Sequence, residues 1–158
     1  MNPCPCGWLG AHAATGRSCR CSPDAVLRYQ SRLSGPLLDR IDLQIEVPAV
    51  APSALLAQPE GEASSSVAQR VASARRRQLD RQGCANAALG AGTLHEMARL
   101  EEPAARLLHA AAERLGWSGR SLHRALKVAR TVADLAQRDT VGAPEVAEAL
   151  QYRRALPA

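Results

Sequence analysis

The stretch SGRSLHRALKVARTVADLA, residues 118–136, decides how the rest of the chain is read. Leu122, Leu126, Ala129, Ala133 and Ala136 recur at helical spacing, and Val128, Val132 and Leu135 widen the same stripe, where a strand would need strict alternation. Ser118 is placed to cap the orphan amides of a helix start. The expectation is therefore one long helix, central to a bundle because its apolar stripe is broad. Arg120 stands in its first turn, and Arg124 and Lys127, at i+4 and i+7, share a face with it. On periodicity alone such a basic stripe is a solvated face.

Outward from this helix the signals stay helical. Glu102 to Leu115 turns Leu107, Leu108, Ala111 and Leu115 inward and is closed by Gly116. Thr93-Leu94-His95-Glu96 fits a capping box for a short helix to about Leu100. Ser65 or Ser66 can cap a helix in which Val67, Val71, Ala74 and Gln78/Leu79 share a face, ending at Gly83. Beyond Gly142, Pro144 suits the first turn of a last helix reaching about Tyr152. Residues 65–158 thus predict a four- or five-helix bundle. Residues 48–64, with three prolines, read as a linker carrying one helical turn.

The first part differs. Residues 1–22 are rich in Cys, Gly, Pro and Ser without any period and predict an irregular loop. Ser22-Pro23-Asp24 starts a helix running from Pro23 to about Leu33, which Ser34-Gly35-Pro36 stops. Ile41 to Val47 then alternates apolar and polar without a fault, predicting one strand. A lone strand cannot satisfy its edges. Either the sheet belongs to another chain or the sequence is the tail end of a larger sheet domain, and the second is the expectation.

Composition bounds the function. The chain has 158 residues, 46% hydrophobic and 22% charged, an ordinary globular balance. Thirty-one alanines and 19 arginines against the single Lys127 favour helix. With no Phe, two Trp and two Tyr, a sheet that reads single-stranded nucleic acid by stacking is excluded. No uncharged apolar run approaches the roughly 18 residues of a membrane span, and no secretory leader is visible, so a cytoplasmic location without a membrane partner is expected. The net charge of +5 lies entirely in residues 61–158, which permits phosphate-bearing partners such as DNA.

Cys4-Pro5-Cys6 and Cys19-Arg20-Cys21 are two C-x-C pairs, and four thiolates suit tetrahedral zinc. Disulfides and unliganded cysteines are the alternatives, and His12 could replace one sulfur. Cys84 has no partner in sequence. His95, His109 and His123 lack a neighbouring nucleophile or carboxylate at catalytic spacing, and Ser64-Ser65-Ser66 lacks the elbow of a serine hydrolase.

Three segments together carry a resemblance: Met1-Asn2-Pro3-Cys4-Pro5-Cys6-Gly7, Leu33 through Leu43, and Ser118-Gly119-Arg120-Ser121-Leu122-His123-Arg124 through Asp134-Leu135, with Leu150-Gln151-Tyr152-Arg153 beyond. In order and spacing the chain resembles the C-terminal part of the magnesium-chelatase-like AAA+ ATPases, in their ComM/YifB branch. The resemblance implies a mostly α chain: a remnant of an AAA+ α/β core over residues 1–48 (Cys-rich loop, helix, one strand), a linker over 49–64, and a helical lid over 65–158. It implies ATP and Mg²⁺ as cofactors held with a core that lies upstream, a homo-oligomeric ring, and work on DNA linked to natural transformation. Arg40 resembles the arginine finger that reaches a neighbouring subunit's nucleotide, Asn2 the sensor asparagine that orients the attacking water, and Arg120 the sensor arginine of the lid. A local ion pair with Asp39 or Asp42 is the competing role for Arg40.

No G-x-x-x-x-G-K-[ST] occurs in the sequence, so the chain alone is not expected to hydrolyse ATP. A truncated or split product is the expectation. The competing reading is a zinc-stabilised helical module that binds DNA or protein without nucleotide.

Overall fold

A computed structural model describes residues 2–56 and 61–153 and divides the chain into two compact units, Met1–Leu38 with Ile45–Gly61, and Asp39–Gln44 with Glu62–Ala158. In the first unit, α1 (His12–Thr15), α2 (Pro23–Gln30), α3 (Gly35–Leu38) and α4 (Pro52–Leu56) are short. The start of α2 follows from its sequence: the Ser22 side chain accepts the Ala25 N–H at 3.3 Å, with a proline and Asp24 in the first turn. It ends at Gln30, earlier than expected, where Ser31 Oγ donates back to the Arg28 carbonyl at 3.1 Å. Gln30 Nε2 donates to the Pro3 carbonyl at 3.1 Å and ties α2 to the Cys-rich loop. Only Cys4 and Ala11 of this unit are buried among the described residues.

The predicted strand over Ile41 to Val47 does not form. A strand needs a ladder for its amides and carbonyls, and the described residues supply none. Gln44 N–H instead donates to the Tyr152 carbonyl at 2.7 Å, while Ile45 and Val47 are 65% and 82% exposed. The alternation is present without a sheet to receive it. The described residues are therefore mostly helical, with one isolated bridge, Leu100 to Val141.

The second unit holds α5 (Ser64–Gln82), a 3-10 turn at Asn86–Ala88, α6 (Ala91–Ala98), α7 (Glu102–Arg114), α8 (Gly119–Leu135) and α9 (Ala143–Gln151). As its broad stripe predicts, α8 is central and packs on α5, α6 and α9, burying Ala125, Leu126, Ala129 and Ala133. Its Ser118 cap forms, the hydroxyl accepting the Ser121 N–H at 3.3 Å. Pro144 sits in the first turn of α9, where Glu145 Oε2 reaches back to accept the Gly142 N–H at 2.9 Å.

Three local expectations fail. α5 is preceded by Ala63 with no side-chain cap, and Val67 and Val71 remain 37% and 54% exposed while Ala74 and Gln78 are buried. Thr93 lies inside α6, which Gly90 precedes, and its hydroxyl donates to the Gly90 carbonyl at 3.3 Å. Leu115 is 52% exposed, because α7 ends before it.

The core also contains charge. Arg130 and Asp134, at i and i+4 on the buried face of α8, are 0% and 1% exposed and lie 3.0 Å apart. Arg81 grips both carboxylate oxygens of Asp134, at 2.6 and 3.0 Å, and Asn86 Nδ2 adds a bond of 2.8 Å. Arg130 also donates to the carbonyls of Ala98 and Asp139, at 3.3 and 2.8 Å, tying α6 and the turn before α9 to α8. Burial alone would raise the Asp134 carboxyl, but the bonds from Arg81 and Asn86 and the charge of Arg130 hold it below the usual carboxylate range. No helix among the described residues is long and apolar enough to cross a membrane.

Candidate functional site

Asp39 to Gln44 folds with the helical unit, and the reason is readable in its bonds. Ser121 Oγ donates to Asp39 Oδ1 at 3.0 Å, which brings a carboxylate to the positive end of α8. Arg124 Nη1 donates to the Arg40 carbonyl and pairs with Asp42 at 2.7 Å. Arg153 donates to the Ile41 carbonyl at 3.3 Å and lies over the Trp117 ring, 5.3 Å from its centroid. The segment that carries Arg40 is thus held at its Arg40 and Ile41 carbonyls and by the carboxylates of Asp39 and Asp42 on either side.

Arg40 itself is exposed, and its guanidinium has no hydrogen-bond or ion-pair partner among the described residues. The alternative of a pair with Asp39 or Asp42 is not formed, since Ser121 and Arg124 take those carboxylates. Arg120 is likewise exposed and without a partner among the described residues. It occupies the second position of α8, whose first turn holds no acidic side chain of its own. A cation there is disfavoured by the helix dipole, and an incoming anion would relieve that cost. Arg124 and Lys127, expected as solvated surface charge, are spent on the fold: Lys127 Nζ donates to the Ala87 carbonyl at 3.0 Å.

Asn2 is exposed in the Cys-rich loop of the other unit, with its side-chain amide beside Gly7.

The sequence also pointed to the thiols, and the first unit brings them together. Cys4, Cys6, Cys19 and Cys21 each offer one Sγ, all within 4.8 Å of one another. The backbone amide of Trp8, with that of Arg20, pulls the Cys6 thiol down to about 6. The Cys21 amide favours the Cys19 thiolate, but burial and the Cys6 and Cys4 sulfurs outweigh it and push Cys19 up to about 12. Four mutually close thiols form the donor set that a soft, tetrahedral metal takes. His12 stays outside the cluster, its Nδ1 3.0 Å from Ser18 Oγ. Cys84 packs against the helical core of the other unit.

Sequence reasoning placed Arg153 only within the family motif and gave Arg124 no role beyond surface charge, although both hold the Arg40 segment. The one available signal was the position of Trp117 directly ahead of the α8 start, an aromatic face on which a guanidinium can rest.

The family described as magnesium chelatase, subunit ChlI C-terminal, matches residues 61–153, and that described as magnesium chelatase, subunit ChlI, matches residues 1–55. The chain is 43% identical over 155 residues to the uncharacterized protein YifB of Escherichia coli and 42% identical over 154 residues to the competence protein ComM of Haemophilus influenzae. Each match covers 97% of this chain and 29% of the relative, in its C-terminal region. A protein of Mycobacterium bovis is 38% identical over 157 residues, again across 97% of this chain and 30% of that relative.

Proposed function

From a chain that belongs to the magnesium chelatase ChlI family, we propose the following function: it is the C-terminal part of a ring-forming AAA+ ATP-binding protein and supplies guanidinium groups to a triphosphate pocket built elsewhere. In this reading residues 65–158 act as the lid, and residues 1–48 are the remnant of a core that lies upstream. Arg40 reaches the nucleotide of a neighbouring subunit in a homo-oligomeric ring. Arg120 senses the γ-phosphate, and Asn2 orients the attacking water once an upstream strand holds it. ATP and Mg²⁺ are bound by that upstream core, because this sequence contains no phosphate loop. A role in competence is carried over from the relative whose name records it, and work on DNA is what the resemblance of the motifs implies.

One observation supports the reading above the others. In a region where Asp39, Asp42, Arg124 and Arg153 are all bonded to the chain, Arg40 and Arg120 are the guanidiniums left exposed and unspent. A pinned backbone with an uncommitted cationic tip can turn to a phosphate without first breaking a bond of its own, and its planar, permanent charge suits that target.

The test uses this chain joined to the upstream region of the Escherichia coli relative. Arg120→Ala in that protein is expected to lower ATP turnover by about 10²- to 10³-fold, the cost of removing one preorganised donor. The far-ultraviolet helix signal should stay unchanged, because the side chain supports nothing in the fold. Turnover equal to that of the unsubstituted protein assigns Arg120 to the solvated surface.

A further inference from the structure

The four clustered thiols carry an inference that is independent of the nucleotide reading. Cys4 and Cys6 Sγ are 3.4 Å apart, Cys4 and Cys19 3.7 Å, and Cys6 and Cys19 3.6 Å. Zinc–sulfur bonds of about 2.3 Å at tetrahedral angles place sulfurs about 3.8 Å apart, close to all three values. Bonded sulfurs would lie about 2.05 Å apart. Each of Cys4, Cys6 and Cys19 also touches the other two, so no division into two disulfides is singled out. A multi-iron cluster would hold its sulfurs farther from one another than a single ion does.

The surrounding loop explains why a metal is needed. Apart from Cys4 and Ala11 the described residues of this unit bury no side chain fully, too little apolar surface to order a loop by packing. Yet the chain reverses sharply at Gly7, Gly10 and Gly16, with φ of +80°, +78° and +69°, and these reversals return Cys19 and Cys21 to Cys4 and Cys6. Cys4 is 0% exposed. The Cys21 N–H donates to Cys19 Sγ at 3.4 Å, an amide–sulfur bond of the kind that orients a ligating thiolate.

We propose that Cys4, Cys6, Cys19 and Cys21 form a closed tetrathiolate zinc site that takes the place of a hydrophobic core in the first unit. Four thiols release four protons to solvent, and the four thiolates bond to one Zn²⁺ with no change of oxidation state. All four positions are then filled by protein, so the ion is structural and activates no water. The centre carries a net charge of −2, which Arg17 and Arg20 of the same loop offset; the Arg17 guanidinium lies 4.6 Å from the centroid of the Trp8 ring.

The full chain, purified in reductant and dialysed against metal-free buffer, is analysed for bound metal and then exchanged into Co²⁺. The expected result is about one zinc per chain, with the intense visible bands of tetrahedral tetrathiolate cobalt after exchange. Removing the ion should disorder the Cys-rich loop and leave the helix content of the second unit intact. Cys84→Ser should keep the metal, and Cys19→Ser should weaken zinc binding by more than about 100-fold. Because Cys19→Ser could also unfold the loop, the cobalt spectrum of the unsubstituted chain stands as a separate readout. The proposal is overturned if all five thiols stay reactive in excess Zn²⁺, if two disulfides are present in the reduced preparation, or if iron or copper occupies the site in zinc's place.

Discussion

Asp134→Ala is expected to cost about 3–5 kcal/mol of stability, measured by urea unfolding followed through the helix signal. The magnitude comes from what remains rather than from the bonds removed. Arg130 would stay 0% exposed with its carboxylate gone, Arg81 would lose both of its bonds to Asp134, and Asn86 would lose an acceptor. An uncompensated buried guanidinium is among the costliest defects a small bundle can carry. Replacing both members of the pair, as in Arg130→Met with Asp134→Leu, should return part of the loss, since the fully buried Arg130 guanidinium is then removed, while Arg81, 13% exposed, still lacks its carboxylate. A pH dependence follows with a definite sign. The folded-state carboxyl lies below its unfolded value of about 3.9, so its contribution is fully present above that value and is lost as pH falls toward the folded one. The unsubstituted chain should lose stability in that window, and Asp134→Ala should lose less. A destabilisation below about 1 kcal/mol would mean that the network is not the keystone of the bundle.

Arg40→Ala carries the second large effect. In the longer protein that contains the nucleotide core, it is expected to lower ATP turnover by about 10³- to 10⁵-fold, the range for removal of an arginine finger. Arg40→Lys should recover little, because an ammonium cannot reproduce the planar, delocalised charge that faces a transferring phosphoryl group. Stability should be unaffected by either change, as the side chain is exposed and only the backbone carbonyl of Arg40 is engaged, by Arg124. Mixed rings of unsubstituted and Arg40→Ala subunits should lose activity subunit by subunit, since a finger serves its neighbour. Unchanged turnover in uniform Arg40→Ala rings would remove Arg40 from the mechanism.

Local helical order was legible from residues 118–136 outward where a boundary carried its own chemistry: Ser22, Ser118 and Pro144 start helices where their capping or ring geometry says they should. The thiol cluster was legible too, since cysteines have few other uses in so Gly-rich a loop. What periodicity could not deliver was anything set by distant partners. Ile41 to Val47 has the pattern of a strand, but pattern does not provide a ladder. Arg130 and Asp134 interrupt an apolar stripe and would ordinarily be assigned to solvent; their burial depends on Arg81 and Asn86, 53 and 48 residues away for Asp134. Arg124 and Lys127 look like a free basic face until the Asp42 carboxylate and the Ala87 carbonyl are seen beside them. Val67 and Val71 share a stripe with Ala74, yet the bundle ends before it reaches them.

The central claim is that this polypeptide contributes cationic groups to a nucleotide pocket without itself holding the phosphates. Steady-state ATP turnover, with Mg²⁺ and over a range of chain concentrations, tests it most directly: once for the 158-residue chain alone, and once for the same chain joined to the upstream region of its Escherichia coli relative. The account predicts no turnover above buffer in the first case and magnesium-dependent turnover in the second. Hydrolysis by the chain alone, or a joined protein that binds ATP and never cleaves it, would contradict the account.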